Sequence, residues 1–174
     1  MHQHAETDNP EIQKTTQSSL GPSHLSTRQA TPADTDCLAQ CNIAMALETE
    51  QLILPENTVK RGVRHMIAHP ELGFYLLAEA DTKIVGSLML TSEWSDWRNG
   101  LFWWIQSVYV LPRYRHQGVY RMLYQRVKEL ALQRNDICGF RLYVEQENKP
   151  AQACYQALGM EPTRYFLYEE TVPK

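Results

Sequence analysis

Cysteine is scarce in this chain: four in 174 residues, at positions 37, 41, 138 and 154. The set has neither C-x-x-C spacing nor the density of a disulfide scaffold, so reduced thiols are expected. Long hydrophobic runs are missing too, and none reaches the roughly 18 residues of a membrane-spanning helix. Nor is charge of one sign in excess. Lys and Arg number 17 against 20 Asp and Glu, and the net charge of −3 gives no global field to draw the chain onto nucleic acid or an anionic membrane. Internal repeats are absent. His65 and His69 stand at i and i+4, as in zinc proteases, but Met66 occupies the place of the required Glu, so a surface pair and no metal are expected. His2 and His4 lack further ligands at suitable spacing.

What the chain does have is the material for a core. It is 43% hydrophobic and 10% aromatic, which suits one domain of this length and excludes a disordered or collagen-like protein. Residues 1–24 hold few large apolar side chains and read as a flexible tail, leaving 25–174 as a single domain. The tail lacks the marks of a secretory signal and carries acids that mitochondrial presequences avoid, so a cytoplasmic location is expected.

The hydrophobic period switches repeatedly along the domain. Residues 25–30 read as a short strand, and Thr31-Pro32-Ala33-Asp34 opens a helix to about Leu47. A second helix fits 58–69. Apolar runs at 74–80 and 84–90 flank Asp81-Thr82-Lys83 as a hairpin, and a third run, 101–110, follows the turn signal Asn99-Gly100. Apolar positions 119, 122, 123, 127 and 130 give a helix to about Arg134. A strand at 140–144, a helix stripe at 151, 154, 155 and 158 ended by Gly159, and a closing strand at 165–168 complete the order β-α-α-β-β-β-α-β-α-β.

The chemistry concentrates at one strand-to-helix junction. A buried strand ends at Pro112, an Arg-rich loop follows, and Gly118 sits where the next helix begins. Helix starts carry unpaired N–H groups and partial positive charge, so this junction is built to hold a phosphate. Arg113, Arg115 and Arg121 add charge-assisted bonds, and residues 112–134 hold six basic side chains against Glu129 alone.

Arg115-His116-Gln117-Gly118-Val119-Tyr120 resembles the R/Q-x-x-G-x-G/A signature of the GNAT superfamily of N-acetyltransferases, preceded as in that family by a Val-Tyr-Val-x-Pro strand end. Further on, the stretch from Asn148 through Ala151, Tyr155 and Gly159 to Met160 is similar to the family's N-x-x-A-x-x-x-Y-x-x-x-G-F/M ending. The resemblance covers residues 25–170. It implies an α/β (α+β) three-layer fold with a central mixed, mostly antiparallel sheet, splayed between strands 4 and 5 and carrying helices on both faces. It also implies acetyl-CoA as cosubstrate and acetyl transfer to an amine. Carried over, the main chain of Val108, Tyr109 and Val110 would pair with the pantetheine arm. The amides of His116, Gln117, Gly118, Val119, Tyr120 and Arg121, with Arg113 and Arg115, would hold the pyrophosphate. Asn148 would bond the arm, and Tyr155 would be general acid for the leaving thiolate. Two positions depart from the pattern: Tyr120 replaces a small residue, and Trp104 stands where many relatives have a basic Glu. The base is therefore not assigned by resemblance.

Amine acetylation has its own needs. An alkylamine of pKa about 10 must lose a proton to a base, direct or through water. An oxyanion needs a donor, which a main-chain N–H at the splayed strand, such as that of Val108, would supply, and the thiolate needs an acid. Candidate acceptor-side residues are Trp94, Asp96 and Trp97 in the Trp-rich hairpin and Glu48 in the segment between the first two helices. Aromatic faces and carboxylates suit a cationic amine. Glu50 and Glu93 are the leading candidates to order the deprotonating water. A small cationic amine is the expected acceptor. A protein N-terminus or lysine, an inert CoA-binding module and a nucleic-acid-binding protein are the alternatives, and exposed strand edges near the C-terminal end fit a homodimer.

Overall fold

The computed structural model describes residues 24–172. The expected tail, with His2 and His4, lies outside the described residues except for His24. Strand β1 (Leu25–Gln29) leads through a short 3-10 turn (Pro32–Asp34) into helix α1 (Thr35–Glu50), followed by α2 (Glu56–Ala68). Then come β2 (Gly73–Ala80), β3 (Lys83–Ser95), β4 (Gly100–Val110), α3 (Val119–Leu132), β5 (Ile137–Arg141) and α4 (Lys149–Ala157). The strands form one sheet in chain order, antiparallel from β1 to β4 and parallel between β4 and β5.

Strand alternation divides the core into two layers. On one face Leu76, Ala78, Leu88, Leu90, Trp103 and Ile105 pack against Val119, Leu123, Tyr124 and Val127 of α3. On the other, Tyr75 and Leu77 meet Leu38, Ala39 and Val63 of α1 and α2. Helices therefore cover both faces of the mixed sheet, in the three-layer arrangement expected. Gly86 fixes one detail: a Cβ there would lie 3.0 Å from Val119 Cγ1 and 3.2 Å from the Tyr109 carbonyl. The first turn of α3 thus rests on bare β3 backbone, beside the end of β4.

The structure corrects the C-terminal third of the expected order. β5 ends at Arg141 and does not run over 140–144, because its pairing with β4 stops at Trp104 opposite Arg141. Leu142, Tyr143 and Val144 have strand-forming side chains but no neighbour to pair with. The closing strand expected at 165–168 is not formed either; that segment joins no ladder and stands in solvent.

Candidate active site

β4 and β5 pair only from Leu101 with Ile137 to Trp104 with Arg141. β4 then runs on from Ile105 to Val110, still bonded to β3 on its other side, so a gap opens along its β5-facing edge. A bulge interrupts β4 within this stretch. Ser87 pairs with Tyr109 and Met89 with Gln106, so Ser107 and Val108 together face Leu88. Ser107 takes a left-handed backbone with φ 49, which turns the main chain of this pair out of simple ladder register.

Past Val110 the chain makes a tight 3-10 turn (Pro112–Tyr114), closed by the Arg115 amide donating to the Pro112 carbonyl at 3.2 Å. His116 (φ 61) and Gly118 (φ 80) are both left-handed, and α3 begins at once. Its first helical bond runs from the Met122 amide to the Gly118 carbonyl at 3.0 Å, so the amides of Val119, Tyr120 and Arg121 point out of the helix start without helical acceptors. No atom lies within 4 Å of the place a Cβ on Gly118 would take, so this start is open to approach. Tyr120 does not obstruct it. Its ring turns inward, stacked on Tyr124 at 6.2 Å and edge-on to Tyr155 at 5.4 Å.

Arg115 and Glu48, expected on opposite sides of the site, are joined. The guanidinium donates to both Glu48 oxygens through its two terminal nitrogens, and its Nε donates to the Val110 carbonyl at 2.9 Å. This ties the end of α1 to the end of β4 and holds the Glu48 carboxyl below its ordinary range, chiefly through the hydrogen bonds from Arg115. Glu50, in the last turn of α1, is exposed and engages no partner among the described residues.

Asn148 caps α4, its Oδ1 accepting from the Ala151 amide at 3.2 Å, and its side-chain NH2 remains a donor. One α4 turn presents the half-buried Tyr155, whose hydroxyl is pushed up to about 12 by burial and then by the neighbouring Cys154. The Tyr120 hydroxyl beside it is buried without a partner and is raised still further by burial.

The face of β4 toward α1 and α2 carries a polar cluster. The Trp104 indole N–H donates to Glu93, and Arg141 Nη1 donates to both Glu93 oxygens at 2.7 and 2.8 Å. These contacts, that from Trp104 first, hold the Glu93 carboxyl below its ordinary range. Gln106 donates to the Thr91 hydroxyl at 2.6 Å, and the Tyr143 hydroxyl donates to Gln106 Oε1 at 3.5 Å. Arg141, Thr91 and Tyr143 were missed in the sequence. The signal was there in part, since residues 91 and 93 of β3, and 104 and 106 of β4, alternate onto one face. Trp94, Asp96 and Trp97 lie elsewhere. They surround the β3–β4 turn, with both indoles exposed. At about 3.3 Å per residue, that turn is roughly 25 Å along β4 from the bulge.

The family model for the acetyltransferase (GNAT) family matches residues 43–160. No curated protein matches the sequence. Among solved structures, a possible acetyltransferase from Clostridium difficile 630 is 39% identical with a TM-score of 0.80, the match covering 86% of this chain and 99% of that one. A predicted acetyltransferase from Clostridium acetobutylicum, solved with acetyl-CoA, is 19% identical over 84% of this chain and 96% of its own, with a TM-score of 0.69. AAC(6')-Iy, in complex with a bisubstrate analogue, CoA-S-monomethyl-acetylneamine, is 17% identical over 87% of this chain and 100% of its own, also at 0.69. These last two are likenesses of fold.

Proposed function

Since the chain belongs to the GNAT acetyltransferase family and is an acyltransferase, we propose that it transfers an acetyl group from acetyl-CoA to a primary amine, a small cationic one. The observation that carries this reading is the gap beside β4, with the open start of α3 at one end and Tyr155 packed against that helix.

Acetyl-CoA, when bound, supplies an acyl group activated as a thioester. The gap-facing main chain of Val108 and Val110 would bond an extended arm as an added strand does, with Tyr109 between them turned to β3. The amides from His116 to Arg121, with the side chains of Arg113 and Arg121, would hold a diphosphate at the helix start. Arg115 contributes its place in the loop; its guanidinium is committed to Glu48 and Val110. Asn148 would donate its free NH2 to the arm.

The Val108 N–H, re-aimed by the bulge, would donate to the oxygen that gains charge during transfer. Tyr155 stays protonated across neutral pH, because its hydroxyl ionises only near 12, and would donate to the departing sulfur. Glu50 adds its charge to the partially negative end of α1, an environment that attracts a cationic amine. As an unpaired carboxylate it would order the water that takes the amine's proton. Glu93 would hold Trp104 and Arg141 in place along the acceptor side. The likeness to AAC(6')-Iy concerns the fold, so the acceptor class rests on these acids.

The test follows free thiol from acetyl-CoA against a panel of small amines. Thiol release with a cationic amine is expected, and Tyr155→Phe should lower kcat by about 10²-fold or more while changing acetyl-CoA affinity less than about twofold. No thiol release with any amine, or a Tyr155→Phe variant of unchanged kcat, would sink the reading.

A further inference from the structure

Three buried side-chain polar atoms lack a hydrogen-bond partner among the described residues, and one of them, the Tyr120 hydroxyl, belongs to a ring in contact with Tyr155. A buried donor left unpaired costs free energy, so its retention in a folded protein calls for a reason. The ring itself is firmly seated. It stacks on Tyr124, one turn on along α3, with centroids 6.2 Å apart, and Tyr124 in turn meets Phe140 of β5 edge-on at 6.0 Å. Tyr155 of α4 meets the Tyr120 ring edge-on at 5.4 Å, and Lys128 of α3 ties the end of α4 to the same helix by reaching the Leu158 carbonyl at 3.5 Å. The Tyr155 hydroxyl likewise makes no hydrogen bond among the described residues, so the two phenols lie side by side, unjoined.

The need for a second donor comes from the general-acid role proposed above for Tyr155, on which this inference rests. Burial pushes the Tyr155 hydroxyl up to about 12, whereas an alkyl thiol ionises near about 8.5. Passing the Tyr155 proton to a departing thiolate is therefore uphill by about three powers of ten, and it leaves a half-buried phenolate behind.

We propose that the Tyr120 hydroxyl is the donor that meets this phenolate: it hydrogen-bonds to the Tyr155 oxygen as the bond from acetyl carbon to sulfur breaks, and so makes Tyr155 a competent acid. The sulfur keeps the electron pair of the broken bond and takes the Tyr155 proton, while Tyr120 keeps its own. The proton given up by the amine returns Tyr155 to its neutral form through water, so the step balances. Burial, and then the charge of Tyr155, push the Tyr120 hydroxyl further up than its neighbour, so Tyr120 remains the donor of the pair. The other titratable groups beside it, Cys154 and Tyr124, are both shifted upward and stay neutral at pH 7, which leaves the phenolate as the one charged acceptor among them. A bond made only as charge develops lowers the barrier without tightening substrate binding, so it shows in kcat and not in KM. Tyr120 acts through Tyr155 and is a positioning residue, which gives a task to the aromatic side chain that departs from the R/Q-x-x-G-x-G/A signature.

Tyr120→Phe removes the hydroxyl and keeps both the ring and the main-chain amide. Steady-state kinetics with acetyl-CoA and the amine that releases thiol fastest, beside thermal unfolding, give the test. The expected result is a kcat lower by about tenfold with KM for acetyl-CoA within about twofold. The thermal midpoint should be no lower than that of the wild type, since an unpaired hydroxyl has been deleted. Adding Tyr120→Phe to Tyr155→Phe should bring no further loss. An unchanged kcat in Tyr120→Phe, beside a slow Tyr155→Phe, would overturn this inference alone and leave the general acid in place. So would a raised KM at constant kcat, which would make the hydroxyl a cosubstrate contact, a thermal midpoint that falls together with kcat, which would make it a structural bond, or independent losses in the double variant. A Tyr155→Phe variant of unchanged kcat would instead remove the general acid, and this inference with it.

Discussion

Asp34 accepts from both terminal nitrogens of Arg28 at 2.8 Å and from the amide and hydroxyl of Thr31 at 2.7 and 2.9 Å. Arg28 also reaches Glu79 at 2.9 Å, so one guanidinium, anchored on the buried Asp34 carboxylate, fastens β1, β2 and the entry to α1. The guanidinium holds the Asp34 carboxyl far below the usual carboxylate range. A depressed folded value means that its contribution is complete at neutral pH and is lost as pH falls below the unfolded value of about 3.9 toward the folded one. Asp34→Asn should therefore cost about 2 kcal/mol at pH 7 and flatten the acid side of the stability curve, as read by urea denaturation between pH 2 and 7. An unchanged acid limb would show that other carboxylates set it. Glu48 illustrates a different lesson at this scale. Its partner, Arg115, lies 67 residues away in sequence, so nothing local distinguished a carboxylate that binds a substrate from one that braces a loop.

Among the elements, α3 is defined at its start by the residue that caps it. Gly118 is left-handed at φ 80, yet nothing crowds the place of its missing Cβ. Gly118→Ala should thus lower stability by only about 1–2 kcal/mol, the cost of a left-handed L-residue. The same methyl would project where the proposed diphosphate site lies, so KM for acetyl-CoA is expected to rise about tenfold with a smaller change in kcat. Steady-state kinetics beside thermal unfolding separate the two effects, and an unchanged KM would place the diphosphate elsewhere. From β2 to α3 the sequence was legible because its signals are local. Asp81-Thr82 and Asn99-Gly100 mark the turns, and the stripe from Val119 through Leu123 to Val127 fixes the helix face. β5 and the segment at 165–168 were not legible in this way. Whether strand-forming residues become a strand depends on a neighbour to pair with, and β4 veers away after Trp104.

The whole molecule separates charge that its total conceals. The net value of −3 is spread over a chain whose 112–134 stretch alone carries six basic residues and one acid, while 41–57 carries three acids and no base. The two stretches touch where Arg115 binds Glu48, so the charge left to draw an anionic cosubstrate is that of Arg113, Arg121 and the rest of the 112–134 stretch. Such attraction is screened by salt, so KM for acetyl-CoA should rise several-fold between about 0.01 M and about 0.5 M ionic strength, with kcat changing little. A salt-independent KM would assign the binding to main-chain contacts alone.

The gap beside β4 has a thermodynamic side. From Ile105 to Val110 the sheet is unfinished, and a ligand that completes it bonds to the folded chain and to nothing comparable in the unfolded one. Its concentration then enters the folding equilibrium directly, adding about RT ln(1 + [L]/Kd) to stability. If the ligand is the acetyl-CoA of the proposed reaction, the protein's lifetime in a cell would rise and fall with the supply of that cosubstrate.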